Sequence, residues 1–450
     1  MVMEMKRKEI VLTKETRKKE YVKRVMDAIS PHLSLKSYHK VAIKINLSGQ
    51  REIYANTNYE SVESLIFYLK EHFGISDISV VEGSDGAFYA NKSTWEIFYK
   101  FKYKEVELNG AKLVNLDELP HDQKLSVYTL NGIKEVSYTK CEADYLISVV
   151  PPKTHNIFPV HLSTLNMIGF VKPEDRILLY GACNTEIKKI NSFKNDRMIQ
   201  LSENGGKNFA KLLKEIPPSL TLIDGLFGME GKGPIKGSPV FHGFALASED
   251  TVLADALTTY IMGFEVDQVP YLIHAYREGL GNNRWQNIIG VDPSQVKFPY
   301  RPHPLFPKQK LWSEQYQQQR KGERIDRGDR SDRGERNDRY ERSDRGERSY
   351  RGERSDRNDR ENSTERMDRG ERGNRWDRGD RGERKNWNDR GNRDNRYDRF
   401  NRYNRGDNNR ADYNRVDKGD QSDNGNHRST QAGENNSNTE PINDDERYNK

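Results

Sequence analysis

The sequence predicts an α/β core over residues 1–300, with a largely parallel or mixed sheet and helices on both faces, followed by a disordered C-terminal tail. Three observations carry this reading. Short apolar runs of strand length alternate with longer stretches of helical periodicity. The run Tyr145–Val150 is apolar on both faces, as strands are when helices cover both sides of a sheet. A glycine-rich stretch, Asp224–Gly237, follows the apolar run Leu220–Ile223, and loops at strand ends are where open α/β sheets hold ligands.

Glu15–Ile29 places Tyr21, Val22, Val25, Met26 and Ile29 at helical spacing. Val41–Leu47 reads as a buried strand whose polar members, Lys44 and Asn46, share one face. Asn58–Phe73 is a helix by pattern, stopped at Gly74. Ile78–Glu82 is a strand ending in the loop Glu82–Gly86, and Thr94–Tyr103 is a short amphipathic segment. Lys112–Leu116 and Lys124–Leu130 read as strands, the second opening a hairpin across Asn131-Gly132.

After Tyr145–Val150 comes P-P-K-T-H, Pro151–His155. Phe158–Phe170 has helical spacing with Asn166 among its apolar residues. Glu203–Ile216 is a helix stopped by Pro217-Pro218. Phe241–Ala247 is a strand, and Ser248–Thr251 supplies an N-cap for a helix Val252–Met262 that carries Asp255 inside it. Asp267–Glu278 is the last core helix, and residues 301–323 read as a linker.

The candidate chemistry sits at predicted strand ends. Lys153 and His155 offer a cation and an imidazole for oxyanion binding and proton transfer, with Asp224 or Glu230 as partner. Lys44, Asn46, Glu82, Ser84, Thr154 and Asn166 are candidate ligand contacts. So are Asp224, Gly225, Gly228, Met229, Gly231 and Gly233, the backbone amides of Gly228–Gly233 being suited to an anion. Asp224 and Asp255 are alternatively candidates to hold a divalent metal beside His155. The geometric expectation is that the strand ends around Asn46, Glu82 and Lys153 converge with the Asp224–Gly237 loop.

The net charge of +6 hides dense charge of both signs. From Arg324 to Arg405 an arginine recurs at every third position, broken only by Ser363 and Trp387, usually after Asp, Glu or Asn. Such a polyampholyte cannot bury enough apolar surface to order itself. Its glycines and aromatics resemble RNA-associating segments, while its acids oppose phosphate binding. RNA association, self-association and simple solvation all remain open for it.

The two cysteines, Cys141 and Cys183, match no zinc or iron–sulfur spacing. No apolar run reaches the length of a membrane span, and the opening residues lack an apolar signal core, so a cytoplasmic protein is expected.

Several motifs together carry a resemblance. They are V-A-I-K-I-N-L at Val41–Leu47, P-P-K-T-H at Pro151–His155, L-N-M-I-G at Leu165–Gly169 and L-I-D-G-L-F-G-M-E-G-K-G-P-I-K-G at Leu222–Gly237. L-A-S-E-D-T-V-L-A-D-A at Leu246–Ala256 and M-G-F at Met262–Phe264 follow. In this order they resemble domain of unknown function family 362, a bacterial and archaeal family without an assigned reaction. Some members carry a ferredoxin-like pair of iron–sulfur clusters, which implies redox work for those members. Two cysteines cannot supply such clusters, so none is expected here. Leu165 also stands where the family often has lysine. The readings left open are a small-anion or cofactor-binding enzyme-like domain, an RNA-associated or self-associating protein acting through the tail, and an inactive scaffold.

Overall fold

In the computed structural model, which describes residues 8–14, 20–49 and 53–319, five parallel strands form one side of a ten-stranded sheet, out to its edge. The strands in chain order are β1 (Ile10–Lys14), β2 (Val41–Lys44), β3 (Ile78–Glu82), β4 (Lys112–Asn115), β5 (Gln123–Thr129), β6 (Gly132–Tyr138), β7 (Tyr145–Val150), β8 (Lys153–Thr154), β9 (Val160–His161), β10 (Leu220–Glu230), β11 (Ser238–Ser248) and β12 (Ile289–Gly290). The sheet runs β12-β1-β11-β10-β7-β2-β3-β4, with β8 paired to β10 and to β9. β5 and β6 form a separate hairpin. The Arg-rich repeat from residue 324, with the disorder and RNA association expected of it, lies outside the described residues.

The five strands β10, β7, β2, β3 and β4 are mutually parallel. Starting from β2, the chain builds outward through β3 and β4, then returns to the other side of β2 for β7 and β10. The order therefore reverses between β2 and β7, and the carboxyl ends of the strands flanking such a reversal border a crevice.

Both faces are covered. Val41, Ile43, Val80, Ile147 and Leu222 pack with apolar residues of the helices Tyr21–Ile29 and Tyr59–Phe73. Ala42 and Leu146 belong to a second cluster with Leu201, Phe209 and Leu212 of the helix Asn195–Glu215 and Ala256 of the helix Thr251–Ile261. The helix Tyr59–Phe73 has the ends its sequence dictates. The Asn58 side chain accepts from the Glu60 amide, and Gly74 takes φ +66°, a conformation that side chains resist.

Four local expectations change. β10 continues through the glycine-rich stretch to Glu230, leaving only 231–237 to connect it to β11. Its glycines serve a register shift between Gly225 and Phe227 and the close seating of the Phe244 ring on Gly225. Phe158–Phe170 is broken into β9, a short helix Ser163–Asn166 and a 3-10 turn Met167–Phe170. There Val160 pairs with Thr154, and the Ser163 and Thr164 amides bond the Asp255 carboxylate. The helix expected from Glu203 begins at Asn195, burying Met198 and Leu201. Finally, the first part of the 301–323 linker is packed. Gln309 Nε2 donates to the carbonyls of His155 and Phe158, and Trp312 is buried with its indole N–H on Glu203. The strand β1 has no counterpart among the sequence-based elements.

Candidate functional site

β2 ends in Lys44, and β7 is stopped by Pro151-Pro152, after which the chain turns into β8. Lys44 projects on the same face as Ala42, the face that carries Asn166 and its short helix. Lys153 returns over the same edge because its strand pairs with Met229 of β10 on one side and His161 of β9 on the other. Three of the predicted strand ends therefore meet at the reversal point of the sheet.

Their side chains form one buried network. Lys44 Nζ pairs with Glu82 and donates to Asn166 Oδ1 at 3.0 Å and to the Ile45 carbonyl at 2.6 Å. The other Glu82 oxygen accepts from the Leu47 amide at 3.0 Å. Lys153 Nζ donates to Asn46 Oδ1, to Ser48 Oγ at 2.6 Å and to the Ala55 carbonyl at 2.9 Å. Asn46 Nδ2 donates to Asn166 Oδ1 and lies 3.2 Å from His161 Nε2. Asn166 Nδ2 closes the network on the Lys44 carbonyl and Ser148 Oγ. Ser48, at 8 % exposure, is the most accessible of these side chains.

The charges do not balance. Burial lowers the Lys44 pKa, and the Glu82 carboxylate opposes that shift; burial raises Glu82, and Lys44 opposes it. Lys153 has no carboxylate within ion-pair distance among the described residues, only three neutral oxygens. Burial brings its pKa down to about 7, Glu82 giving partial compensation at longer range. Burial also holds His161 well below the ordinary imidazole range and His155 down at about 3, so neither ring adds charge near neutrality. With Lys153 protonated, the network carries one uncompensated positive charge.

The remaining candidates lie apart from this network. His155 Nδ1 accepts from the Ile157 and Phe158 amides at 3.1 and 3.3 Å, and its ring stacks on Tyr180. That nitrogen is fixed in a turn, unlike the acid/base partner expected from sequence. Glu230 accepts from the Arg301 amide at 2.9 Å. Asp224 accepts from Ser61 at 2.8 Å, on the face carrying the helix Tyr59–Phe73. Asp255 accepts the Ser163 and Thr164 amides at 3.0 and 2.8 Å, which holds the start of the helix bearing Asn166. Asp224 and Asp255 thus serve separate partners, correcting their grouping as metal ligands. Among the described residues, no three His, Cys, Asp or Glu side chains gather as a metal site.

Ser84 caps its own helix, accepting from the Ala87 amide and donating to the Leu47 carbonyl. Thr154 Oγ1 donates to the Gly231 carbonyl at 3.0 Å. The amides of Met229, Gly231 and Gly233 are bound to the carbonyls of Pro152, Arg301 and Gly231, so they form no open anion cradle. Gly225 and Gly228 lie within β10, paired to Phe244 and Val240. The predicted four-way convergence is therefore three-way, with the 231–237 loop touching β8 rather than the charged groups.

Sequence reasoning missed His161, Ser48 and Ser148. Reading Phe158–Phe170 as one helix hid the strand that brings His161 opposite Lys153. A cavity of about 750 Å³ lies toward the other end of the same sheet face, against Ala42, Ser79, Val81, Val114, Leu116 and Phe170. Its lining includes none of the network side chains.

Over 139 residues the chain is 25 % identical to the thylakoid-associated protein sll1697 of Synechocystis sp.. The match covers 31 % of this chain and 39 % of that protein, so the chain spans about two fifths of its relative's length. The solved structure of the lactate racemase apoprotein from Thermoanaerobacterium thermosaccharolyticum aligns with 56 % of this chain and 57 % of its own, at 13 % identity and a TM-score of 0.36. No helix among the described residues is long and apolar enough to cross a membrane. Residues 41–260, which contain β2 through the helix after β11 and every side chain of the network, match the family described as domain of unknown function (DUF362), and this stretch of the chain is a domain of that family.

Proposed function

We propose that this domain is an enzyme-like binder of a small anion, taken up at the buried Lys44–Lys153 network. One observation carries the reading: Lys153 is fully buried, and its amine has no carboxylate partner among the described residues. A satisfied polar network that only pinned the strand ends together would not need that charge. Several kcal/mol oppose burying a lone cation, and an arriving anion offsets that penalty. The site lies at the reversal of the strand order, where open α/β sheets place their ligands. Entry requires local parting of the packing beside Ser48, the most exposed group on Lys153.

The test is a melting-temperature survey of the full chain against small carboxylates, sulfate and phosphate at matched ionic strength. A set of anions should raise the midpoint in the wild type and leave Lys153→Met unmoved. Equal shifts in both proteins would end this reading.

A further inference from the structure

The most informative atom in the network is one that makes no bond. Asn46 Oδ1 accepts from the Lys153 ammonium and from the Ser48 hydroxyl. Its amide nitrogen must therefore be the atom beside His161 Nε2, and an amide nitrogen only donates. His161 Nε2 is then the acceptor, and the ring proton sits on Nδ1. That Nδ1 is buried and has no hydrogen-bond partner among the described residues, on a side chain only 3 % exposed. A buried donor left unpaired is rare and costs about 1–3 kcal/mol.

The unpaired donor and the uncompensated cation are neighbours. Lys153 and His161 stand directly opposite each other across β8 and β9. Opposed residues on paired strands project on one face with Cβ atoms roughly 5 Å apart. A small flat group carrying two oxygens on one carbon, seated between the two side chains, can present one oxygen to each. A water could accept from His161, but it carries no charge and leaves Lys153 uncompensated.

The charge count then selects the ligand. Glu82 already neutralises Lys44, so a single positive charge remains. A dianion would bring a second negative charge with nothing buried to meet it. We propose that the anion is a small monocarboxylate, one oxygen meeting the Lys153 ammonium in place of Ser48 and the other accepting from His161 Nδ1–H. This rests on the anion-binding reading above and adds the ligand class and a second contact residue.

The test uses the full chain at pH 6, where Lys153 holds its proton. Acetate and pyruvate are titrated against sulfate at constant ionic strength, with binding followed by NMR. The free protein should show the His161 ring proton on Nδ1, and acetate should move that resonance. Acetate should bind about tenfold or more tightly than sulfate, the size of one charge-assisted hydrogen bond. His161→Phe should weaken acetate about tenfold, while His161→Asn, which keeps an N–H near the Nδ1 position, should stay within about threefold of wild type.

Sulfate binding as tightly as acetate, or an unmoved His161 resonance at acetate saturation, overturns the monocarboxylate assignment. Acetate binding unchanged in a folded His161→Phe protein overturns the contact. Either result leaves the broader anion reading standing if Lys153→Met still abolishes binding. Absence of binding by every probe in the wild type ends both.

Discussion

Asn46 accepts the Lys153 ammonium through Oδ1, and that bond decides which way the Asn46 amide points. Its other end then faces His161 and Asn166 as a donor. One asparagine thus sets the tautomer of a histidine on another strand. It also links the two lysines, since Asn166 Oδ1 receives both Asn46 and Lys44.

Anion affinity should fall as pH rises through about 7. Burial brings Lys153 down to about 7, and only the protonated form attracts an anion. Above that point, affinity should drop about tenfold per pH unit. A titration with acetate between pH 6 and 9 checks this, and a flat profile would remove Lys153 from the binding site.

Stability should move the opposite way. The unfolded chain holds the lysine proton to about 10.5, whereas the folded chain releases it near 7. Between those values the unfolded state binds more protons, so this residue makes stability rise with pH. Urea midpoints at pH 6, 8 and 10 for wild type and Lys153→Met isolate the effect, since the variant lacks the titrating group.

Glu82→Gln should cost about 3–5 kcal/mol, because it leaves Lys44 charged and buried without a counter-ion. Adding Lys44→Met to that variant should recover part of the loss. Chemical denaturation of the two single variants and the double gives the coupling directly. Additive single effects would mean the pair does not act as one unit.

Asp224→Ala and Asp255→Ala should each destabilise by about 1–3 kcal/mol, through loss of the buried bond from the Ser61 hydroxyl in one case and the orphaned Ser163 and Thr164 amides in the other. The two share no hydrogen-bonded partner, so the double variant should be additive within about 0.5 kcal/mol. Strong coupling between them would restore the shared metal site that the separate partners argue against.

Trp312→Ala should lower stability by about 3 kcal/mol, since it empties a buried site and leaves Glu203 without the indole N–H. A residue in a free linker would change stability by less than about 0.5 kcal/mol. Thermal unfolding separates the two outcomes.

The sequence made the parallel strands legible because burial on both faces leaves mostly apolar runs. Tyr145–Val150 and Ile78–Glu82 are observed with their expected bounds. Asn58 and Gly74 likewise mark the ends of their helix through local chemistry. The strand ends around Asn46, Glu82 and Lys153 were legible in a similar way, as polar residues at the ends of apolar runs, whereas Asn166 was read inside a helix. What was not legible depends on partners distant in sequence. β10 extends past its glycines only because β11 and Pro152 accept its backbone bonds. His161 and Asp255 take their roles from strand pairing and from amides roughly 90 residues away, which no local pattern records. Asp224 and Glu230 sit among glycines in a motif that looks like a ligand loop, yet the pleat of β10 sends them to Ser61 and Arg301.

β1 pairs along its whole length with β11, and Thr13 reaches Ala245 across 232 residues of chain. During synthesis, the N-terminal strand must therefore wait until nearly the entire domain has left the ribosome before it can dock. The parallel strands from β2 to β7 can associate sooner, since each neighbour follows within a shorter span. Until β1 arrives, β11 exposes an unpaired strand edge to any other chain nearby. The nascent protein thus faces a hazard of misassembly late in the making of this sheet, once β11 has emerged and before β1 has closed its edge.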